Sequence, residues 1–312
     1  MNSKSFNHVI QSEVLVIGGG FAGCFAAIKC KQLGKDVVLV DKGYVSRSGV
    51  SQFPGGNISI SFPQDDKDLQ IRDTIERGEY INDQEWVKIQ IHETYDQALE
   101  LEQWGRQFGE NVWERDEKGE LIRIQVHGDV YTYNCIIDGH AVMNTLRKKV
   151  IAEKVPLFER IAMSDLISDG NKVVGAVGFN YRTGETYLFR AKAVILAAAG
   201  TAFRFDTRQL NNTGEGQVMA YSIGARFQNL EQGGQRKFPK SGVGRQMGVP
   251  LGYAFGTKLV NRLGEDFMRK WDPVLGIRAY RLQQAAVAKE IEEGRGPVYI
   301  DLRDIAPKHR EI

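Results

Sequence analysis

Near its start the chain carries an apolar run, Ser12–Gly18 (SEVLVIG), with almost no polar face, the pattern of a parallel strand buried on both sides. Phe21–Leu33 changes to helical composition, and Gly34 follows as its C-cap. Asp36–Val40 (DVVLV) reads as a second buried strand, closed by Asp41. Strand, helix and strand joined by tight turns predict a right-handed βαβ crossover. Residues 43–63 are rich in Gly and Ser and lack periodicity; a loop of that length is commonly functional or disordered. Helical spacing returns over about 65–105. There Asn82 and Glu85 form a capping-box start, and Trp86, Ile89, Tyr95, Leu99 and Trp104 recur as a core stripe. A further amphipathic helix covers about 140–151. Lys172–Phe179, Thr186–Phe189 and Ala193–Leu196 read as strands, the first two joined by a hairpin at Arg182–Gly184. From about residue 233 the texture shifts to glycine loops and basic residues before a helix near Arg281–Glu293.

The expected class is therefore α/β. A Rossmann-like domain would occupy residues 1–232, with a parallel sheet, helices, a β-hairpin layer and a helical insertion at about 65–120. The start of an α+β domain would follow over 233–312.

Between the first strand and helix stands Gly18-Gly19-Gly20-Phe21-Ala22-Gly23, a G-x-G-x-x-G. Its place gives it meaning: Gly18 allows the tight turn, Gly20 admits a diphosphate to the backbone, and Gly23 lets helix and strand approach. The helix N-terminus supplies amide donors and a positive dipole end. Asp41, about 20 residues on, is placed to accept from ribose hydroxyls and disfavours a 2′-phosphate. FAD and NAD both remain open on this unit alone. Two later features lean toward FAD. One is the small-residue turn Ala197–Gly200 after a strand, which can lie against a bound cofactor. The other is Asn211-Asn212-Thr213-Gly214-Glu215-Gly216, which opens a helix and offers further backbone donors with a carboxylate near them.

Composition narrows the function classes. A net charge of +2 across 312 residues implies no nucleic-acid surface. Against 8 prolines stand 34 glycines, a ratio suited to backbone that passes close to a ligand. Cys24, Cys30 and Cys135 fit no zinc, iron–sulfur or disulfide pattern, and no metal site is expected. No export signal is visible, and the longest apolar stretches are too short to span a bilayer, so a reducing cytoplasm is the expected setting.

Seven segments together carry a family resemblance. They are VIGGGFAG ending at Gly23, VLVDKG (38–43), SRSGVSQFPGGN (46–57), AVILAAAG (193–200), NTGEGQVMA (212–220), NRLGEDFM (261–268) and EIEEGRGPVYID (290–301). In this order they resemble the succinate dehydrogenase/fumarate reductase flavoprotein family, which includes aspartate oxidase and the adenylylsulfate reductase α-subunit. The resemblance implies FAD as cofactor. Asp41 and Lys42 would hold its AMP part, and Ser46 to Asn57, with Ser48, Gly49, Gly55, Gly56 and Asn57, would run along the diphosphate toward the flavin. Ile161 and Ala162 would touch adenine, Ala199 and Gly200 would lie near the cofactor, and Glu215 would stand where the family has Asp in TGDG. Residues from about 233 would begin a capping domain over the substrate.

Departures from the pattern shape the rest of the expectation. Where succinate dehydrogenases carry a flavin-linking histidine, this chain has Ser48-Gly49-Val50, which implies non-covalent FAD. No substrate histidine appears near Arg236, and Arg278 and Arg281 flank the place expected for the proton-donating arginine, which makes fumarate or succinate doubtful as substrate. The RSG and EGRGPVYID segments look closer to the adenylylsulfate reductase α-subunit. Arg236, Arg278 and Arg281 are the candidate catalytic residues, since a guanidinium matches a small anionic substrate. An iron–sulfur or haem electron-transfer subunit is the implied partner, with membrane association only through it. The family continues past residue 312, so the chain reads as truncated. The competing readings are a non-catalytic FAD-binding or electron-transfer subunit and an NAD-dependent dehydrogenase.

Overall fold

A computed structural model describes residues 5–52, 56–125, 129–200, 212–230, 257–273 and 277–305. In chain order the elements are β1 (His8–Ile17), α1 (Phe21–Gln32), β2 (Val37–Asp41), β3 (Asn57–Ser59), α2 (Lys67–Arg77) and α3 (Gln84–Gln107). Then come β4 (Arg123–Ile124), β5 (Asn134–Ile136), α4 (Gly139–Ala152), β6 (Leu157–Glu159), β7 (Ile161–Asp169), β8 (Lys172–Asn180) and β9 (Thr186–Leu196). The last are α5 (Glu215–Ser222), β10 (Lys258–Val260), α6 (Met268–Trp271), α7 (Ile277–Glu292) and β11 (Tyr299–Asp301). Contacts divide the chain into two units, one of residues 1–54, 103–112 and 139–233, the other of 55–102, 113–138 and 234–312.

The first unit is built on a six-stranded sheet of order β6-β2-β1-β9-β8-β7. β6, β2, β1 and β9 run parallel, and β8 and β7 turn antiparallel at the edge. Leu15, Ile17, Val38 and Val40 share one face with Ile161, Met163, Phe189 and Met219. Val16, Val37 and Leu39 alternate to the opposite face and are fully buried too, beside α1 with its buried Cys24, Ala27 and Ile28. Each such aliphatic contributes about 1.5–3 kcal/mol when removed from water. This two-sided burial explains why the first strands read as unbroken apolar runs.

β9 corrects the sequence expectation. The two short strands Thr186–Phe189 and Ala193–Leu196 are one strand of 11 residues, paired with β1 along its whole length and with β8 over its first half. Exposed Arg190 and Lys192 interrupt its apolar pattern, yet the pairing with β1 continues on both sides of Lys192.

In the second unit β3, β5 and β4 form an antiparallel sheet. The carboxylate of Asp73 on α2 accepts the N–H groups of Val130, Tyr131 and Thr132, and buried Asp129 pairs with Arg77 and accepts from Asn134. Arg123 lies against the rings of Phe62 and Tyr133 and pairs with Asp65. The helical stretch 65–105 is two helices. Asp83, not Asn82, caps α3, its Oδ1 accepting from the N–H groups of Glu85 and Trp86, while the Asn82 amide donates back to the Thr74 carbonyl at the end of α2. The buried stripe of α3 is Val87, Ile91, Leu101 and Trp104; Trp86 is 70% exposed and Ile89 and Leu99 are exposed as well. Trp104 holds its predicted place in the stripe, while Trp86, Ile89 and Leu99 lie on the outer face one or two positions from buried Val87, Ile91 and Leu101. Between residues 257 and 305, β10 pairs antiparallel with β11, and Leu259, Phe267, Met268 and Ala286 form a small core. Buried Glu290 receives two hydrogen bonds from the Arg295 guanidinium and one from the Asn261 amide, which hold its carboxyl down to about 2.

Candidate cofactor site

The glycine turn after β1 is held by close backbone approaches that only glycine permits. Gly18 has φ +107°, and a Cβ there would overlap the carbonyl oxygen of Ala197. A Cβ on Gly23 would overlap the carbonyl oxygen of Gly18, so α1 starts directly against the turn. Gly20 is the N-cap of α1, with φ −79° and ψ −165°. Gly216 repeats the device on α5, where a Cβ would lie 2.9 Å from the Ala198 Cβ.

Asp41 organises the turn before it meets any ligand. Its Oδ2 accepts the Gly19 N–H at 2.7 Å, and its Oδ1 accepts the Gly43 N–H at 2.6 Å and the Ser48 hydroxyl at 3.4 Å. Oδ2, with one donor, retains a further lone-pair site for a ribose hydroxyl. Residues 44–52 of the following loop are tied back to the turn by hydrogen bonds. The Ser46 N–H donates to the Gly19 carbonyl at 2.7 Å, the Gln52 amide donates to the Ser46 carbonyl, and Val50–Gln52 makes a short 3₁₀ turn. Arg147 of α4 donates to the Val45 carbonyl and pairs with Glu159 of β6, which in turn accepts the Val45 N–H. Ser51 accepts the Phe21 N–H at the start of α1.

These segments line a solvent-open cleft. Its floor is the turn Gly18–Gly20 and Ala197–Ala199; Asp41, Lys42, Ser48 and Gly49 form one wall, and Glu215, Gly216 and Met219 another. Ile161 and Met163 close the end beside β2. At the rim the Lys42 ammonium donates to the Thr213 hydroxyl at 2.9 Å and to Glu215 Oε1 at 2.8 Å. Burial works to raise the Glu215 carboxyl, but the Lys42 and Thr213 hydrogen bonds together pull it below the usual range.

The family model described as FAD binding domain matches residues 13–309. The chain belongs to this FAD-binding family. It is 29% identical over 315 residues to one subunit of the CoM/CoB fumarate reductase of Methanothermobacter marburgensis, covering 95% of this chain and 56% of that protein. It is 28% identical over 333 residues to the succinate dehydrogenase flavoprotein subunit of Rickettsia bellii, covering 98% and 54%. Among solved structures, the fold matches E. coli quinol fumarate reductase with a TM-score of 0.78 at 22% identity, covering 96% of this chain and 55% of that one. Adenylylsulfate reductase from Archaeoglobus fulgidus matches with a TM-score of 0.72 at 25% identity, covering 94% and 49%. The chain thus spans about half the length of the curated relatives it matches.

FAD is the cofactor of this family member. The cleft fits the dinucleotide part of that molecule: a floor of glycine backbone at Gly18–Gly20, a helix N-terminus opening onto it, and a carboxylate at the end of β2. Of the residues singled out in the sequence, Gly18, Gly19, Gly20, Asp41, Lys42, Ser48, Gly49, Ile161, Ala199 and Glu215 line it together. Phe21, Ala22, Gly23, Ala162 and Gly200 are not among the lining residues; Phe21 stacks on Phe25, and Ala162 pairs with Phe179 in the β7–β8 ladder. Gly56 and Asn57 belong to the second unit, where Asn57 opens β3. Gly55 and Arg236 lie outside the described residues, and so do the side chains of Arg278 and Arg281, which fall on α7. Ser51, within the 46–57 stretch, lines the cleft too; sequence reasoning missed Met163 and Met219, which carry no signal beyond being apolar. Among the described residues no His, Cys, Asp and Glu group could hold a metal ion, and no helix is long and apolar enough to cross a membrane.

Cys24, on α1 beneath the turn, contacts the Ser46 hydroxyl at 3.2 Å and donates to the Gly19 carbonyl. Burial pushes its thiol up to about 12, and that of Cys135 to about 11. Alkylation of the native protein at about pH 8 is therefore expected to spare both and to reach only half-buried Cys30. Peptide mass spectrometry reads this directly. Modification of Cys24 before unfolding would contradict the closed packing under the turn.

Proposed function

We propose that the chain is the FAD-carrying part of an oxidoreductase that acts on a small anionic substrate and binds its flavin non-covalently. The observation that carries the reading is the cleft itself: glycine turn, helix N-terminus and Asp41 converge where a dinucleotide diphosphate and ribose would lie. The names of its relatives, reductase and dehydrogenase subunits, support redox chemistry over passive binding.

FAD, when bound, supplies the capacity to accept or donate an electron pair. The protein's part is to hold and orient. The amides of the turn and of α1 would face the diphosphate, Asp41 the ribose, and Ile161 the adenine end. Ser48 and Gly49 would lead toward the flavin ring. Ser48-Gly49-Val50 offers no imidazole, which supports the non-covalent reading. The region from about residue 233 is proposed as the start of a capping domain, with Arg236, Arg278 and Arg281 as anion-binding candidates. An iron–sulfur or haem subunit would exchange electrons with it. Three free cysteines suit a reducing compartment such as the cytoplasm.

Purified chain should show flavin absorbance that moves wholly to the supernatant on acid precipitation. Candidate reduced organic acids and sulfite with AMP should then be tested for bleaching of the bound flavin. Colour held in the acid pellet would overturn the non-covalent assignment, and bound flavin that no anionic donor bleaches would favour a passive electron-transfer subunit.

A further inference from the structure

Val45 and Ser46 are buried although they sit in a turn, outside any strand or helix that would satisfy their backbone. Buried N–H and C=O groups need partners when water cannot reach them. For Ser46 these are the Gly19 carbonyl, which accepts its N–H at 2.7 Å, and the Gln52 amide, which donates to its carbonyl. For Val45 both partners come from one ion pair. Glu159 Oε1 on β6 accepts the Val45 N–H at 3.0 Å. One guanidinium nitrogen of Arg147 on α4 donates to the Val45 carbonyl at 3.0 Å and also to that same Glu159 oxygen. The pair therefore closes a ring with the backbone of Val45.

The ring stands where the chain bends toward the cleft. Ser46 has φ +59°, a left-handed conformation that a non-glycine residue keeps only where its surroundings hold it. Two and three residues further on, Ser48 and Gly49 line the cleft. Arg147 and Glu159 are not among the lining residues, and their side chains are 24% and 21% exposed. A second tie from α4 lies beside them, the Arg47 guanidinium donating to the Asn144 amide oxygen.

Resting on the assignment of FAD to this cleft, we propose that Arg147 and Glu159 are positioning residues for the cofactor. They fix the backbone of Val45, and through the bend at Ser46 they set the wall of Ser48 and Gly49 against which FAD lies. They act by hydrogen-bond geometry on the loop, without touching the cofactor.

Hydrogen exchange of the peptide covering residues 44–52, read by mass spectrometry, and titration with FAD test this on the full chain. Arg147→Met keeps the apolar stem and removes the donor. Exchange in 44–52 should speed up about tenfold while α1 and β9 keep their protection. FAD should bind about tenfold more weakly. Glu159→Leu breaks the ring from the other side and should give the same two changes, so either variant carries the test if the other does not fold. Glu159→Gln removes the charge but keeps an oxygen for both donors, and should stay within about threefold of the parent in both readouts. Parent-like exchange and affinity in both breaking variants would overturn the proposal. A faster-exchanging loop with unchanged affinity would overturn it too, because the ring would then serve the fold alone. So would a loss in Glu159→Gln as large as in Arg147→Met, since charge and not geometry would then be at work. No FAD binding by the parent would instead overturn the cofactor assignment, and exchange measured without FAD shows separately whether the ring holds the loop.

Discussion

Gly20→Val is expected to lose FAD while the protein stays folded. The backbone of Gly20, at φ −79° and ψ −165°, is open to any L-residue. An added Cβ would meet one atom outside its chain neighbours within 4 Å, the Ser51 hydroxyl oxygen at 3.2 Å, and that side chain can yield. The cost to folding is therefore small, about 1 kcal/mol including the poorer N-cap. Gly20 nevertheless lines the cleft, and two valine methyl groups would occupy space beside the diphosphate. FAD affinity should fall at least about a hundredfold, which corresponds to about 2.7 kcal/mol. Flavin titration and a melting curve on the same sample separate the two effects. A variant as yellow as the parent would show that the diphosphate does not rest on this turn.

Gly23→Ala, three residues further on, should do the reverse and damage the fold first. Its Cβ would overlap the carbonyl oxygen of Gly18, a backbone atom in a turn that is itself pinned to Val40 and against Ala197. No flexible side chain can move aside. Alanine improves helix propensity by about 1 kcal/mol, but overpacking of this severity outweighs it, with a net loss of about 3 kcal/mol. The melting temperature should drop by roughly 6–12 °C. Gly49→Ala is the matched control: nothing lies within 4 Å of its added Cβ and its φ is not positive, so the melting temperature should stay within about 2 °C. If Gly23→Ala melts with that control, the tight approach of α1 to the turn is not present in solution.

The contrast between these glycines shows how far the sequence could be read. The G-x-G-x-x-G spacing between a buried strand and a helix announced the turn, and the apolar run before Asp41 placed it at the end of β2. The conformations that make Gly18 and Gly23 irreplaceable match the roles the motif implies. Asp41 was legible as an acid at the end of β2. Its bonds to the Gly19 and Gly43 N–H groups were not, because a side chain that folds two loops leaves no periodic trace. The cap of α3 failed for a related reason: Asn82, Asp83 and Glu85 all carry capping chemistry, and only the geometry of the α2–α3 turn assigns Asp83 to α3 and Asn82 to α2.

Local order along the chain determined the α/β class, the βαβ start, the glycine turn and the β8–β9 hairpin, because burial on both faces of a parallel strand and tight turn chemistry are written in neighbouring residues. Tertiary structure alone decided that β9 is one strand beside β1, that Val87, Ile91 and Leu101 join Trp104 in the buried stripe of α3, and that Lys42 meets Glu215 across 173 positions of chain. Those outcomes depend on which surfaces come together after the elements form, and the packing free energy that chooses among them belongs to pairs of residues distant in sequence.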